Sequence, residues 1–292
     1  MLDMIEFQLR LKEADYIAEN DLVSTLLLTT ELKRPLLLEG DAGVGKTEVA
    51  KALATLFDCP LIRLQCYEGL DVNSAVYEWN YQHQLLTIKL QETENLSAEE
   101  KKEHIFSEEF LLKRPLLQAI TQSVSPVLLI DEIDRADEEF EAFLLEVLSD
   151  FQISIPELGT IPATTIPHVI LTSNGTRELS DALRRRCLYH YINYPSYEKE
   201  LKIVNQCIPD INQDLATQVV SCIQQLRKET LRKKPGVGET LDWVAALMKL
   251  DIKKLDDDPE LIMSTLVCLL KTKEDRNQIT EEVMGRLVAN AG

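Results

Sequence analysis

The sequence predicts an α/β fold built on a parallel sheet, followed by a small all-α domain. Two observations support this prediction. Short apolar runs alternate with helical patterns over the first two thirds of the chain, and every strong pattern after residue 197 is helical. We therefore expect one domain over residues 1–194 and a second, helical domain over 195–292. The strand candidates are residues 34–39, 61–66, 126–131, 168–173 and 188–193.

Composition excludes several classes of protein. The 292 residues are 45% hydrophobic and 27% charged, a balance typical of a globular protein. No apolar run approaches the roughly 18 residues of a membrane span, and the N-terminus has no secretory pattern, so we expect a cytoplasmic protein. The net charge of −18 disfavours broad nucleic-acid binding. The cysteines are scattered and we expect them reduced: Cys59, Cys66, Cys187, Cys207, Cys222 and Cys268.

The first strand candidate ends in a glycine-rich turn that leads into a helical pattern. The turn fits the phosphate-binding pattern G-x-x-x-x-G-K-T in the strand and helix context that this pattern requires. Its backbone amides would surround the phosphates of ATP, its lysine would reach the β- and γ-phosphates, and its threonine would hold Mg²⁺. The residues predicted to bind the nucleotide are Gly40, Asp41, Ala42, Gly43, Val44, Gly45, Lys46, Thr47 and Glu48.

A second buried strand, PVLLIDE, ends in two carboxylates. We predict that Asp131 binds Mg²⁺ through water, together with Thr47, and that Glu132 polarises the attacking water. An Asp-Glu pair after a strand is by itself often a solvated strand end. Its combination with the glycine-rich turn favours ATP hydrolysis.

Polar residues follow the next two strand regions. Asn174 ends the run HVILTSN, where it would position the lytic water, although Asn before Gly is also a common turn. Ser180 begins a short predicted helix that ends in three arginines, 184–186. These arginines either complement the helix C-terminus or supply an arginine finger to the γ-phosphate of a neighbouring subunit, for which we favour Arg186.

Longer phrases of the sequence resemble the AAA+ ATPases, and among them the MoxR-type family and its CoxD subgroup. The phrases are LIRLQCYEGLD, FLLKRPLLQAI, LIDEIDRADEEFEAFLLEVLSDF, SIPELGTI and LSDALRRRCLYHYINYPS. The resemblance covers nearly the whole chain. It implies a five-stranded αβα P-loop NTPase domain, a helical lid and a hexameric ring. It also implies chaperone-like maturation of a metalloenzyme client of the molybdenum hydroxylase type, beside a partner with a von Willebrand factor A domain.

The lid departs from the pattern of many AAA+ proteins, in which an arginine at a helix start contacts the γ-phosphate. Glu239 stands at the matching place. Either Glu239 faces away and acts as a helix N-terminal acid, or this lid senses nucleotide differently. Arg232, Lys233 or Lys234 could substitute for the arginine.

Residues 74–90 alternate apolar and polar side chains, which predicts a β-hairpin insertion. Trp79 and Tyr81 would then share one exposed face and bind a client or partner, unless Trp79 belongs to the local core. The polar stretch 91–102 is predicted to be exposed. Two other functions share the main motifs: a nucleic-acid-associated AAA+ motor, and a weakly hydrolysing nucleotide-gated binding module.

Overall fold

The computed structural model of the protein describes residues 3–90, 97, 100 and 104–290. The chain forms two compact units. The first comprises Met1–Arg10, Glu19–Glu39 and Thr47–Tyr191, and the second comprises Leu11–Ala18, Gly40–Lys46 and Ile192–Gly292. Within the described ranges, no helix is both long and apolar enough to cross a membrane.

The first unit contains the strands. In chain order they are β1 (Leu36–Glu39), β2 (Leu61–Gln65), β3 (Tyr77–Trp79), β4 (Leu111–Lys113), β5 (Val127–Asp131), β6 (Gln152–Ile155), β7 (Gly159–Pro162), β8 (His168–Ser173) and β9 (Leu188–Tyr191). Five of them form a parallel sheet in the order β2-β5-β8-β1-β9. This arrangement confirms the predicted α/β fold. The observed strands begin up to two residues later than predicted.

The order of the sheet explains why the predicted functional residues follow particular strands. Strand β8 lies between β5 and β1, and all three are parallel, so their carboxyl ends meet at one edge. Every residue of β5 is buried, which explains its continuous apolar run. Polar residues that follow these strands are therefore brought to the same edge of the sheet.

Helices flank these strands along the chain. They are α1 (Met4–Glu13), α2 (Asn20–Leu32), α3 (Lys46–Leu56), α4 (Val72–Ala75), α5 (Tyr81–Leu90), α6 (Pro115–Ile120), α7 (Glu138–Asp150) and α8 (Asp181–Arg186). Helix α7 begins at an Asp137 cap that accepts a hydrogen bond from the Phe140 amide (2.8 Å). Its apolar face belongs to the core, because Phe140, Leu144, Val147 and Leu148 are buried. Ser180 caps α8 as predicted.

The predicted β-hairpin over residues 74–90 is wrong. Strand β3 pairs antiparallel with β4, which lies more than 30 residues further along the chain, and the second half of the expected hairpin is helix α5. The reason is Asn80, whose side-chain oxygen accepts a hydrogen bond from the His83 amide (3.0 Å). This bond caps the first turn of α5 and outweighs the alternating pattern.

Trp79 and Tyr81 consequently do not share a face. The Trp79 ring is only 7% exposed and packs edge-on against Tyr77 and Phe106, whereas Tyr81 is 63% exposed on α5. The expectation of an exposed aromatic pair is wrong, and the alternative that Trp79 belongs to the local core is confirmed. Apart from residues 97 and 100, the polar stretch 91–102 lies outside the described residues.

After residue 192 the second unit is helical as far as it is described. Its helices are α9 (Tyr197–Cys207), α10 (Gln213–Leu226), α11 (Val237–Lys249), α12 (Pro259–Thr265), α13 (Lys273–Gln278) and α14 (Glu281–Ala289). They enclose an apolar core around the fully buried Trp243. Arg227 and Glu200 form a buried bidentate ion pair (2.6 and 2.7 Å), and Thr240 donates to the same carboxylate. Removal of only one partner of such a pair is strongly destabilising, because it leaves a buried charge unpaired.

Candidate functional site

The glycine-rich loop of residues 40–46 holds its lysine across its own backbone. Lys46 is only 7% exposed, and its Nζ donates hydrogen bonds to the carbonyl oxygens of Gly40 (2.7 Å) and Asp41 (2.8 Å). The lysine is also the first residue of α3, so the positive end of that helix directly follows the loop in the chain. These features place positive charge inside the loop, which suits a phosphate group.

Two glycines of the loop are required by its geometry. A Cβ atom on Gly40 would lie 2.3 Å from the carbonyl oxygen of Ile192, closer than any real contact. Gly43 has φ +80°, and a Cβ there would lie 2.9 Å from the Cα of Gly236. Any side chain at either position would force the backbone to move.

Glu239 lies beside the same loop. Its Oε2 accepts a hydrogen bond from the Gly236 amide (3.0 Å), which caps α11, and it lies 3.4 Å from the position of a Cβ on Gly43. The Val237 amide donates to the Gly43 carbonyl oxygen (2.9 Å). Glu239 is therefore a helix N-terminal acid, as one alternative predicted, but its carboxylate faces the loop. Arg232, one of the suggested substitutes for the lid arginine, forms an ion pair with Glu274 (Nη1 to Oε2, 3.6 Å).

The other predicted loop residues differ in their exposure. Asp41 and Ala42 are exposed, whereas Val44 is buried. The side chain of Glu48 forms an exposed ion pair with Lys51 one turn further along α3 (2.7 Å). The structure therefore gives Glu48 a partner on its own helix.

Asp131, at the end of β5, is buried and accepts several hydrogen bonds. Its Oδ1 accepts from the Thr47 hydroxyl (3.3 Å) and from the Thr172 hydroxyl of β8. Thr172 also accepts from the amide of Glu132 (3.0 Å). The Thr172 hydroxyl thus connects the side chain of Asp131 to the backbone amide of Glu132.

Glu132 has a different setting. It adopts a left-handed backbone conformation (φ +56°), which is uncommon for a residue other than glycine, and its side chain is 31% exposed. Its Oε2 accepts a hydrogen bond from Gln65 Nε2 (3.0 Å) and forms an ion pair with Arg135 Nε (2.9 Å). The carboxylate that we predict to act on water is therefore held by two side chains with access to solvent.

Asn174 follows β8 as predicted, and a buried acid fixes its backbone. Asp134 accepts hydrogen bonds from the amides of Asn174 (3.2 Å) and Thr176 (3.0 Å), and also from the Thr176 hydroxyl. Burial acts to raise the pKa of Asp134, but these hydrogen bonds outweigh it and hold that pKa below its ordinary value. Asp134 therefore fixes the turn that carries Asn174.

The three arginines at the end of α8 have different partners. Arg184 Nη2 lies 3.3 Å from Oε2 of Glu39, the last residue of β1. Arg185 is 82% exposed, with Asp181 at 3.6 Å. Arg186 donates from Nε to the Ser149 hydroxyl of α7 (2.6 Å). Arg185 and Arg186 are thus more accessible to a neighbouring molecule than Arg184.

The residues present suit a hydrated Mg²⁺ ion. Thr47 and Asp131 offer the hard oxygen ligands that Mg²⁺ prefers. The threonine hydroxyl can keep donating its proton to Asp131 while an oxygen lone pair faces a metal. A few protein oxygens beside a phosphate-binding loop are typical of magnesium that is bound with a nucleotide.

Three residues of this cluster were not predicted from the sequence: Arg63, Gln65 and Arg135. Arg63 and Gln65 alternate with buried residues on β2 and look like the solvent side of a strand. Arg63 nevertheless reaches Asp131 at the end of β5, and Gln65 reaches Glu132 directly after it. Arg135 follows Glu132 by three residues, a spacing that could have indicated its ion pair. The parallel register aligns Gln65 with Asp131, and this long-range pairing gives no local sequence signal.

The sequence model of the AAA domain (dynein-related subfamily) matches residues 35–187, just over half of the chain. Uncharacterized proteins from Staphylococcus aureus strains bovine RF122 / ET3-1 and COL are each 26% identical over 261 residues, covering 87% of this chain and 90% of the relative.

Solved structures that are similar to this chain include the Holliday junction branch migration motor RuvB of Thermotoga maritima. The likeness has a TM-score of 0.46 at 16% identity and covers 94% of this chain and 71% of that chain. A point variant of the same motor has a TM-score of 0.49 at 15% identity. This likeness covers 90% of this chain and 69% of that chain.

Proposed function

Because the chain belongs to the AAA domain family, dynein-related subfamily, we propose that it is a Mg²⁺-dependent ATPase that converts ATP and water to ADP and phosphate. The observation that carries the proposal is the contact of Thr47 with the buried Asp131, directly before the partly exposed Glu132. This contact joins the phosphate-binding helix α3 to the end of β5. Bound Mg²⁺ would supply positive charge to the phosphates and hold them in line for attack.

The residues of the chain then have distinct tasks. Lys46 and the loop amides bind phosphate oxygens. Glu132 accepts a proton from the attacking water, for which its partial exposure gives access, and Asn174 orients that water. Thr172 keeps the two acids in a fixed relation through its paired hydrogen bonds.

A nucleotide-binding measurement with a matched lysine tests the proposal. Lys46→Ala should reduce the affinity for Mg²⁺–ATP by about 10²-fold or more, because it removes a charge-assisted contact to phosphate. Lys51→Ala is the control, since Lys51 lies on the same helix but is exposed and paired with Glu48. Equal binding by Lys46→Ala and the wild type would refute the assignment of the loop.

We also propose that the protein works as a homo-oligomeric ring, with a hexamer expected, in which Arg186 contacts the nucleotide of the next subunit. The side chain is near the end of a short helix and accessible, which supports this role. Light scattering of the protein with Mg²⁺ and ADP tests assembly. A monomer at every protein concentration would contradict it.

The cellular task that we propose is chaperone-like maturation of a metalloenzyme, beside a von Willebrand factor A domain partner. Its support is the resemblance of the longer sequence phrases, including SIPELGTI and LSDALRRRCLYHYINYPS, to the CoxD subgroup. Purification of the Glu132→Gln protein from its native cells tests this task, because slow turnover should retain partners. Recovery of nucleic acid in place of such proteins would favour the motor alternative.

A further inference from the structure

Arg63 forms an ion pair with the acid that we assign to magnesium. Its Nη2 donates to Asp131 Oδ2 (2.5 Å) and to Gln65 Oε1 (2.6 Å). Arg63 and Gln65 lie two residues apart on β2 and so share one face of the strand. The Arg63 side chain is 52% exposed, whereas that of Asp131 is 5% exposed.

The hydrogen bonds of Asp131 leave little room for a further donor. A carboxylate has about four lone-pair sites. Thr47 and Thr172 donate to Oδ1, and Arg63 donates to Oδ2. A metal-bound water that donates to Asp131 must share Oδ2 with the guanidinium group or replace it.

We propose that Arg63 competes with Mg²⁺ for Asp131 and thereby weakens the affinity of the site for the metal. This inference rests on the proposed function, because it takes Asp131 as the metal-side acid. Arg63 keeps the buried carboxylate paired when the metal leaves, which avoids the cost of an unpaired buried charge. Its exposure lets the guanidinium group move into water when the metal arrives.

The competition has a modest expected size. An ion pair with one half-exposed partner contributes little net free energy, so its removal should tighten metal binding by roughly fivefold. The effect should also fall at high ionic strength, because the exposed guanidinium group is screened by salt. A purely structural Arg63 would instead lower metal affinity when removed.

The experiment measures the affinity for Mn²⁺, a spectroscopic substitute for Mg²⁺. Free Mn²⁺ is quantified by electron paramagnetic resonance in the presence of saturating ADP, and compared with ADP alone. Arg63→Met should lower the dissociation constant about fivefold relative to the wild type. Arg114→Met is the control, since Arg114 forms a comparably exposed ion pair with Glu78 outside this cluster.

Each outcome decides one of the two claims. Binding by Arg63→Met that is no tighter than wild type, with the wild type binding Mn²⁺ normally, overturns the inference alone. A wild type that retains no more Mn²⁺ than ADP alone overturns the magnesium assignment itself. If Arg63→Met does not fold, Arg63→Gln removes the same charge with a polar side chain, and the same fivefold tightening is required of it.

Discussion

Asp131 and Glu132 are adjacent acids with opposite environments. The Asp131 side chain is 5% exposed and receives hydrogen bonds from Thr47, Thr172 and Arg63. The Glu132 side chain is 31% exposed and is held by Gln65 and Arg135. The left-handed backbone of Glu132 separates the two, since it turns the chain immediately after the strand ends.

The difference shows how one dipeptide can serve two tasks. A buried carboxylate with many donors is fixed in position, as a group that helps to hold a metal should be. A carboxylate with solvent access can reach a water molecule and release a proton. Substitutions should therefore separate the two acids by their effects on folding, binding and turnover.

The largest effect is expected from Asp131→Asn. The amide cannot accept all the present donors and brings its own NH₂ group toward Arg63 or Thr47, so stability should fall by about 1–3 kcal/mol. Turnover should fall by roughly 10³-fold through loss of the metal-side charge. Chemical denaturation and a phosphate-release assay measure the two effects. Wild-type stability of Asp131→Asn would contradict the claim that hydrogen bonds hold the buried Asp131 carboxylate in place.

Arg186→Ala removes a side chain that we propose acts on the nucleotide of a neighbouring subunit. Turnover should fall by roughly 10³-fold with ATP binding retained. Mixing with Lys46→Ala subunits, which are inactive at their own sites, should restore turnover at the Arg186→Ala sites. Arg185→Ala is the control on the same helix turn. An absence of rescue in mixed rings whose formation has been shown would count against action in trans.

A smaller effect on turnover is expected from Thr172→Val. The substitution removes the hydroxyl that bonds both acids but keeps the shape of the buried side chain. We expect a loss of about 1–2 kcal/mol in stability and roughly tenfold in turnover. Thr172→Ser retains the hydroxyl and should stay near the wild-type rate. Equal turnover by Thr172→Val and Thr172→Ser would show that the positions of the two acids do not depend on the Thr172 hydroxyl.

The smallest effect on turnover is expected from Trp79→Ala, which lies outside the acidic cluster. Loss of the buried ring should cost about 3–5 kcal/mol of stability, whereas the fraction that folds should hydrolyse ATP normally. Trp79→Phe, which keeps an aromatic ring, should lose less stability than Trp79→Ala. A stable alanine variant, measured by thermal unfolding, would contradict the buried position of this side chain.

Contiguous patterns allowed most of the fold to be predicted. The apolar run of β5, the glycine-rich loop and the Ser180 cap are each encoded by neighbouring residues, and each lies where it was expected. The insertion was mispredicted because the partner of β3 lies far along the chain, while the decisive Asn80 cap is a single residue.

Short local motifs also allowed part of the candidate site to be predicted. Lys46, Asp131 and Glu132 belong to short motifs and could be named in advance. Arg63 and Gln65 could not, because their contacts with the acids depend on the pairing of β2 with β5. The approach of Glu239 to Gly43 likewise joins positions almost 200 residues apart.

One comparison of Glu132→Gln with the wild type decides whether Glu132 activates water for ATP hydrolysis. Bound ATP and released phosphate are measured on the same samples with Mg²⁺. We expect unchanged ATP binding and a turnover lower by about 10³-fold, because the amide cannot accept the proton of water. Hydrolysis by Glu132→Gln at the wild-type rate would contradict this role of Glu132.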